Sequence, residues 1–135
     1  MVATCGTATT IDAVSADGRF VGGMILPGLA LMAGALASNT AQLPQALPSA
    51  TPPPLFADNT HDAIVSGCLS AQAGAIERAV ASHGAAACIV SGGAAPYIVP
   101  ALKFAYRVVD NIVLVGLHAV LLDTAYGGSV GDKAW

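Results

Sequence analysis

The sequence predicts an α/β fold, one mixed β-sheet with helices on its faces. Three observations predict it. Short β-branched or apolar runs follow one another at the start, separated by the turns Gly6-Thr7-Ala8 and Ala16-Asp17-Gly18-Arg19. Later, apolar residues recur at the three- and four-residue spacing of a helix with one buried face. Further short apolar runs alternate with those helices, which requires crossover connections. The predicted order is β-β-β-α, then α-β-α-β-α.

Each element has a local reason. Residues 1–5 read as a short buried strand, and Thr9 to Val14 (TTIDAV) as a second, rich in β-branched side chains. Asp17-Gly18 between apolar runs is a hairpin signal. Phe20 to Leu26 is a third strand, and the Gly22-Gly23 pair inside it implies a bulge or a close backbone approach. Pro27 and Gly28 open a helix to about Ser38, with Leu29, Met32 and Leu36 as its stripe. Residues 41–58 carry Pro44, Pro48, Pro52, Pro53 and Pro54 and no helical period, so they form a surface loop. Asn59 or Thr60 caps a long helix over about 61–83, with Asp62 in its first turn. Its apolar stripe is Ile64, Cys68, Leu69, Ala73, Ile76 and Val80, and Gly84 ends it. Ala86 to Val90 is a buried strand that runs into Ser91-Gly92-Gly93. Ala94 to Leu102 starts as helix, with Pro96 near its beginning. Phe104 to Val109 is an edge-like strand, Asn111 to about Tyr126 the last helix, and 128–135 a polar tail.

Composition narrows the functions. The 135 residues suit one domain. The net charge is −3, with no lysine or arginine cluster, which argues against a nucleic-acid surface. Mean hydropathy is +0.68, yet no apolar window reaches the ~20 residues of a membrane span. Residues 20–38 come nearest, and Gly22, Gly23, Pro27 and Gly28 interrupt them. No basic segment leads into an apolar core at the start, so no signal peptide is expected. Cys5, Cys68 and Cys88 are far apart and form no CxxC pair, as expected of buried thiols in a reducing, cytoplasmic setting. The chain passes almost at once from Met1 into its most distinctive loop, so we expect a fragment of a longer protein.

Two motifs can carry chemistry. Gly6-Thr7-Ala8-Thr9-Thr10 is a small-residue turn between strands. Its backbone can approach a ligand, its amides can point at phosphate oxygens, and the threonine hydroxyls add neutral donors. Read alone, the threonines serve strand propensity equally well. Ser91-Gly92-Gly93 joins a strand to a helix, a common seat for a nucleotide and also simply a sharp turn. Two such turns at strand ends in one α/β sheet suggest a shared ligand.

The segments GTATTIDAV, GRFVGGMILPGLALMAGAL and NTAQLP resemble the type III pantothenate kinases in register and spacing, as do THDAIVSG, IVSGG and NIVLVGL later. The resemblance covers nearly the whole chain. It implies one ribonuclease H-like lobe of the actin/sugar-kinase superfamily, residues 1–127, the C-terminal half of such a kinase. The parent reaction would be ATP-dependent phosphorylation of pantothenate to 4′-phosphopantothenate, the first step of coenzyme A biosynthesis. A non-catalytic reading stands beside it, since the Bvg accessory factor-like members are described as regulatory.

Residue by residue, the resemblance implies that Gly6, Thr7, Ala8, Thr9 and Thr10 bind ATP phosphates. Asp12 would support that loop. Ser91, Gly92 and Gly93 would bind adenosine. Thr40 would reach the pantothenate pocket of the partner subunit in a homodimer. Mg²⁺ and a monovalent cation (K⁺ or NH₄⁺) are the implied cofactors, and Thr4 stands at the usual monovalent-cation Asp position. Val115 stands where a Glu is frequent. The family's DxGNT loop and Gly-x-Asp-Arg segment, with the general base and the substrate-binding Arg, do not occur in these residues. No catalytic residue is therefore expected in this chain, and by itself it should be inactive.

Other residues point to nothing further. His61, His83 and His118 lack metal-ligand spacing. Asp110 and Asp123 form no paired-carboxylate motif, Ser91 has no Gly-x-Ser-x-Gly elbow, and Tyr97, Tyr106 and Trp135 are scattered.

Overall fold

The structure is a computed structural model, and it describes residues 1–49 and 51–125. The predicted tail and Tyr126 lie outside the described residues. The first three strands form an antiparallel meander: β1 (Val2–Cys5), β2 (Ala8–Val14) and β3 (Phe20–Pro27). Two parallel strands, β4 (Ile89–Ser91) and β5 (Arg107–Val108), extend the sheet from β1. The strand order is β3-β2-β1-β4-β5, a mixed sheet as the sequence predicts. The helices are α1 (Leu29–Asn39), α2 (Thr60–His83), α3 (Ala95–Ile98, followed by a 3-10 turn at Val99–Ala101) and α4 (Ile112–Ala125).

The pleat sends alternate side chains to opposite faces of the sheet. Ala3, Cys5, Thr9, Ile11 and Val90 lie on one face and are buried. From α2, Ile64, Cys68, Leu69 and Ile76 join the apolar members of that face in one core with Leu29 and Ala33 of α1. Each large aliphatic side chain there contributes roughly 1.5–3 kcal/mol on burial. On α1 the stripe is narrower than expected: Leu36 is exposed and Ala33 is buried in its place. Residues 41–49 and 51–58 contain no helix or strand, as the prolines require. The loop is nonetheless pinned, because the Ser66 hydroxyl donates to the Leu55 carbonyl at 2.7 Å.

Several boundaries differ from expectation. Pro27 ends β3, paired with Ala8, and does not open α1. β4 starts at Ile89, not Ala86: the ladder to β1 begins at Val2 and Ile89, and the Ile89 amide donates to the Met1 carbonyl at 2.9 Å. β5 shrinks from the expected 104–109 to two residues, since it can pair only with Ile89 and Val90 of the short β4. The Gly22-Gly23 pair does mark an irregularity: the register shifts between Ala13 and Val14, and a Cβ at Gly23 would lie 2.4 Å from Asp12 Oδ1.

The ends of α2 follow the sequence closely. Asn59 Oδ1 accepts from the Asp62 amide at 3.0 Å, and its Nδ2 donates to Asp62 Oδ2 at 2.9 Å. Gly84 closes the helix with φ 61, a left-handed conformation that suits glycine. Asn59→Ala is expected to lower stability by about 1 kcal/mol in urea denaturation. Hydrogen bonds from Asn59 and then His61 hold the Asp62 carboxyl below its ordinary value of 3.8. A depressed carboxyl stabilises the fold above that value, and the contribution disappears as pH falls below it. In urea denaturation at a series of pH values, the stability lost in Asn59→Ala should therefore be largest near neutrality and shrink as pH falls below the carboxyl range.

Candidate functional site

β1 and β4 are neighbouring parallel strands, so their carboxyl ends lie together, and each runs into a glycine bend. Thr4 pairs with Ser91 in the ladder. Just beyond, the Ala94 amide donates to the Cys5 carbonyl at 2.9 Å. Gly92 lies against that same peptide with φ 96, and a Cβ there would stand 2.3 Å from the Cys5 oxygen. Ser91-Gly92-Gly93 and Gly6-Thr7-Ala8 are therefore adjoining bends at one edge of the molecule.

A third corner buttresses the early bend. The Gly28 amide donates to the Thr7 carbonyl at 2.8 Å. A Cβ at Gly28 would lie 2.0 Å from the Gly6 oxygen, so only glycine fits. Gly28 is the N-cap of α1, and its carbonyl accepts from the Met32 amide at 2.9 Å. In the sequence Pro27-Gly28 signals only a helix start, and no local feature marks this contact with Thr7.

The threonines divide by the pleat. Gly6, Thr7 and Ala8 are exposed at the tip. Thr10 is half-buried, and its hydroxyl donates to Asp12 Oδ2 at 3.2 Å. Thr9, whose hydroxyl is expected to add a neutral donor for phosphate, does not stand with the exposed tip. Its side chain is fully buried on the covered face beside Cys5, and its hydroxyl has no hydrogen-bond partner. Burial pushes the Cys5 thiol up to about 11.

Around the late bend lies a cavity of about 480 Å³, lined by Thr4, Ser91, Gly92, Gly93, Asp110 and Asn111 among others. Asp110 and Asn111 join the site only through the tertiary fold. Asn111 holds φ 50, a conformation asparagine tolerates better than most residues. A larger apolar groove of about 860 Å³ runs between α1 and α2, past Leu31, Leu36, Asn39 and Leu43. Thr40 is not brought to the paired bends. It follows the last turn of α1, about 18 Å along the helix from Gly28, and its hydroxyl donates to the Leu36 carbonyl at 2.7 Å. Among the described residues no group of three or more His, Cys, Asp or Glu could hold a metal ion. The donors near the bends are mainly neutral hydroxyls and amides, a set suited to polyphosphate more than to a divalent cation held by protein alone.

Two outcomes test this geometry. Gly92→Ala should destabilise the chain by about 2 kcal/mol or more, since it meets both a backbone clash and a left-handed φ. Gly93→Ala, with nothing within 4 Å of the added methyl, should stay within about 0.5 kcal/mol. All three cysteines are free and buried, and burial raises each thiol above its ordinary value. They should resist iodoacetamide at pH 8 in the folded chain, and all three should react once it is unfolded in urea.

The family model described as type III pantothenate kinase matches residues 1–82. A type III pantothenate kinase of Herminiimonas arsenicoxydans is 66% identical over 130 residues, covering 92% of this chain and 50% of that protein. One from Janthinobacterium sp. (strain Marseille) is 61% identical, covering 90% of this chain and 49% of that protein. The fold also matches a crystal structure of a conserved putative Baf family transcriptional activator from Campylobacter jejuni. That match has a TM-score of 0.68 at 20% identity and covers 93% of this chain and 58% of that one. The chain spans about half the length of the curated relatives it matches, and its α/β sheet is consistent with one lobe of such a protein. On the family match and these identities, the chain belongs to the type III pantothenate kinase family.

Proposed function

We propose that this chain supplies the C-terminal lobe of an ATP-dependent pantothenate kinase. The reaction moves the ATP γ-phosphoryl group to the 4′-hydroxyl of pantothenate and opens coenzyme A biosynthesis in the cytoplasm. The observation that carries the reading is the contact of the two bends through the Cys5 peptide. It lets one nucleotide touch both: phosphates at Gly6, Thr7, Ala8 and Thr10, adenosine at Ser91, Gly92 and Gly93. Thr9 supports the loop from beneath. Phosphoryl transfer needs little covalent chemistry from protein, so holding the nucleotide in line is most of this lobe's task.

The general base belongs to the other half of the protein, and this chain alone does not turn over. Mg²⁺ would reach this lobe on the ATP phosphates, where it offsets their charge. Thr4, a neutral hydroxyl beside Ser91, stands where a monovalent cation (K⁺ or NH₄⁺) would bind more weakly than at a carboxylate. In a homodimer the end of α1, with Thr40, would face the partner's pantothenate pocket.

The test joins this chain behind the N-terminal half of the Herminiimonas arsenicoxydans relative. The fusion should release ADP only when pantothenate is present, and the isolated chain should release none. Turnover by the isolated chain would refute the half-enzyme reading. A well-folded fusion that binds ATP but leaves pantothenate unphosphorylated would favour a non-catalytic accessory protein.

A further inference from the structure

The middle of α2 holds a polar side chain that packing alone does not explain. Gln72 is fully buried between the apolar Leu69 and Ile76 turns of the helix. Its Nε2 donates to the Pro27 carbonyl at 2.6 Å and lies 3.2 Å from Met32 Sδ. The Pro27 carbonyl only accepts, so the amide nitrogen must face it. The other end of the side chain, Oε1, is buried without a hydrogen-bond partner. Leaving such an oxygen unpaired is unfavourable, and an apolar residue of the same length would fill the space without that penalty.

The value of the contact lies in the peptide it grips. The Pro27 carbonyl and the Gly28 amide are opposite ends of one peptide group. The Gly28 end donates to the Thr7 carbonyl at 2.8 Å. A relay therefore runs from Gln72 through the Pro27–Gly28 peptide to the tip of the early bend. Hydrogen bonds in series polarise one another, so the Gln72 donor strengthens the bond to Thr7. Planarity of the peptide makes the relay orienting as well: fixing the carbonyl fixes the direction of the Gly28 N–H.

We propose that Gln72 is a positioning residue for the Gly6–Thr10 loop, setting its attitude toward a polyphosphate through the Pro27–Gly28 peptide. The proposal rests on the reading of that loop as a phosphate-binding element. It reaches the loop from the core, without touching ligand.

The test uses Gln72→Met in the fusion described above. Methionine keeps the length and apolar packing and removes both the donor and the unpartnered oxygen. The KM for ATP should rise about tenfold, the order of one hydrogen bond's contribution. The KM for pantothenate should change little, and Tm should stay within a few degrees. A merely structural residue would show the reverse, a fall in Tm with an unchanged KM for ATP, and that result would overturn the proposal. Gln72→Glu supplies the rescue. A buried carboxyl donates only when protonated, so its KM for ATP relative to the parent should fall as pH is lowered from 8 to 6; a ratio independent of pH would count against a donor role. Hydrogen exchange of the Gly28 amide in the chain itself separates the two readings. Faster exchange in Gln72→Met with an inactive fusion would keep the relay and discard the kinase reading. Unchanged exchange would discard the relay whatever the fusion does.

Discussion

One backbone contact organises the molecule: Gly92 pressed against the Cys5 peptide, with the Ala94 amide bonded to the Cys5 carbonyl. A side chain at position 92 would force the strand ends apart. Because Thr4 and Ser91 pair immediately before it, the contact holds the parallel ladder to its last rung. The two glycine bends meet because β1 and β4 are neighbours, and they stay together because this junction has no room to open.

The same logic recurs at Gly28, where a backbone amide grips the Thr7 carbonyl across a space that excludes Cβ. The early bend is thus held on two sides by main chain. Main-chain contacts of this kind are stiff, since no side-chain rotamer intervenes. That leaves the tip residues Gly6, Thr7 and Ala8 exposed on a rigid base, which is the arrangement a ligand loop requires.

Beneath the bends, the 24-residue α2 serves as the scaffold. Its cap at Asn59 and its left-handed Gly84 set where it starts and stops, and its stripe of mainly small and aliphatic residues packs on the covered face. The other face of the sheet, with Val2, Thr4, Thr10 and Asp12, is only partly covered. Along α4, Val113, Leu114, Val115 and Leu117 are exposed. One face of the lobe is thus a packed core, and the polar groups near the bends lie on the other.

Much of this was legible in the chain itself. Helical spacing from Ile64 to Val80, the Asn59 cap, Gly84 and the Asp17-Gly18 turn are local signals, and each acts within a few residues. The two glycine bends could likewise be read as candidate ligand loops. What no local signal carries is adjacency. That Gly92 touches Cys5, that Gly28 touches Thr7, and that Asp110 and Asn111 join the late bend depend on the strand order β3-β2-β1-β4-β5. The burial of Gln72 and Thr9 was hidden for a related reason: their residue types suggest solvent, and only packing of α2 on the sheet turns them inward. Sequence determined the order of the elements and the ends of α2, because helix hydrogen bonding and capping are local, whereas the ends of β4 and β5 depended on their partner strands. The tertiary structure alone decided which backbone atoms meet, because those contacts close only when distant strands pair.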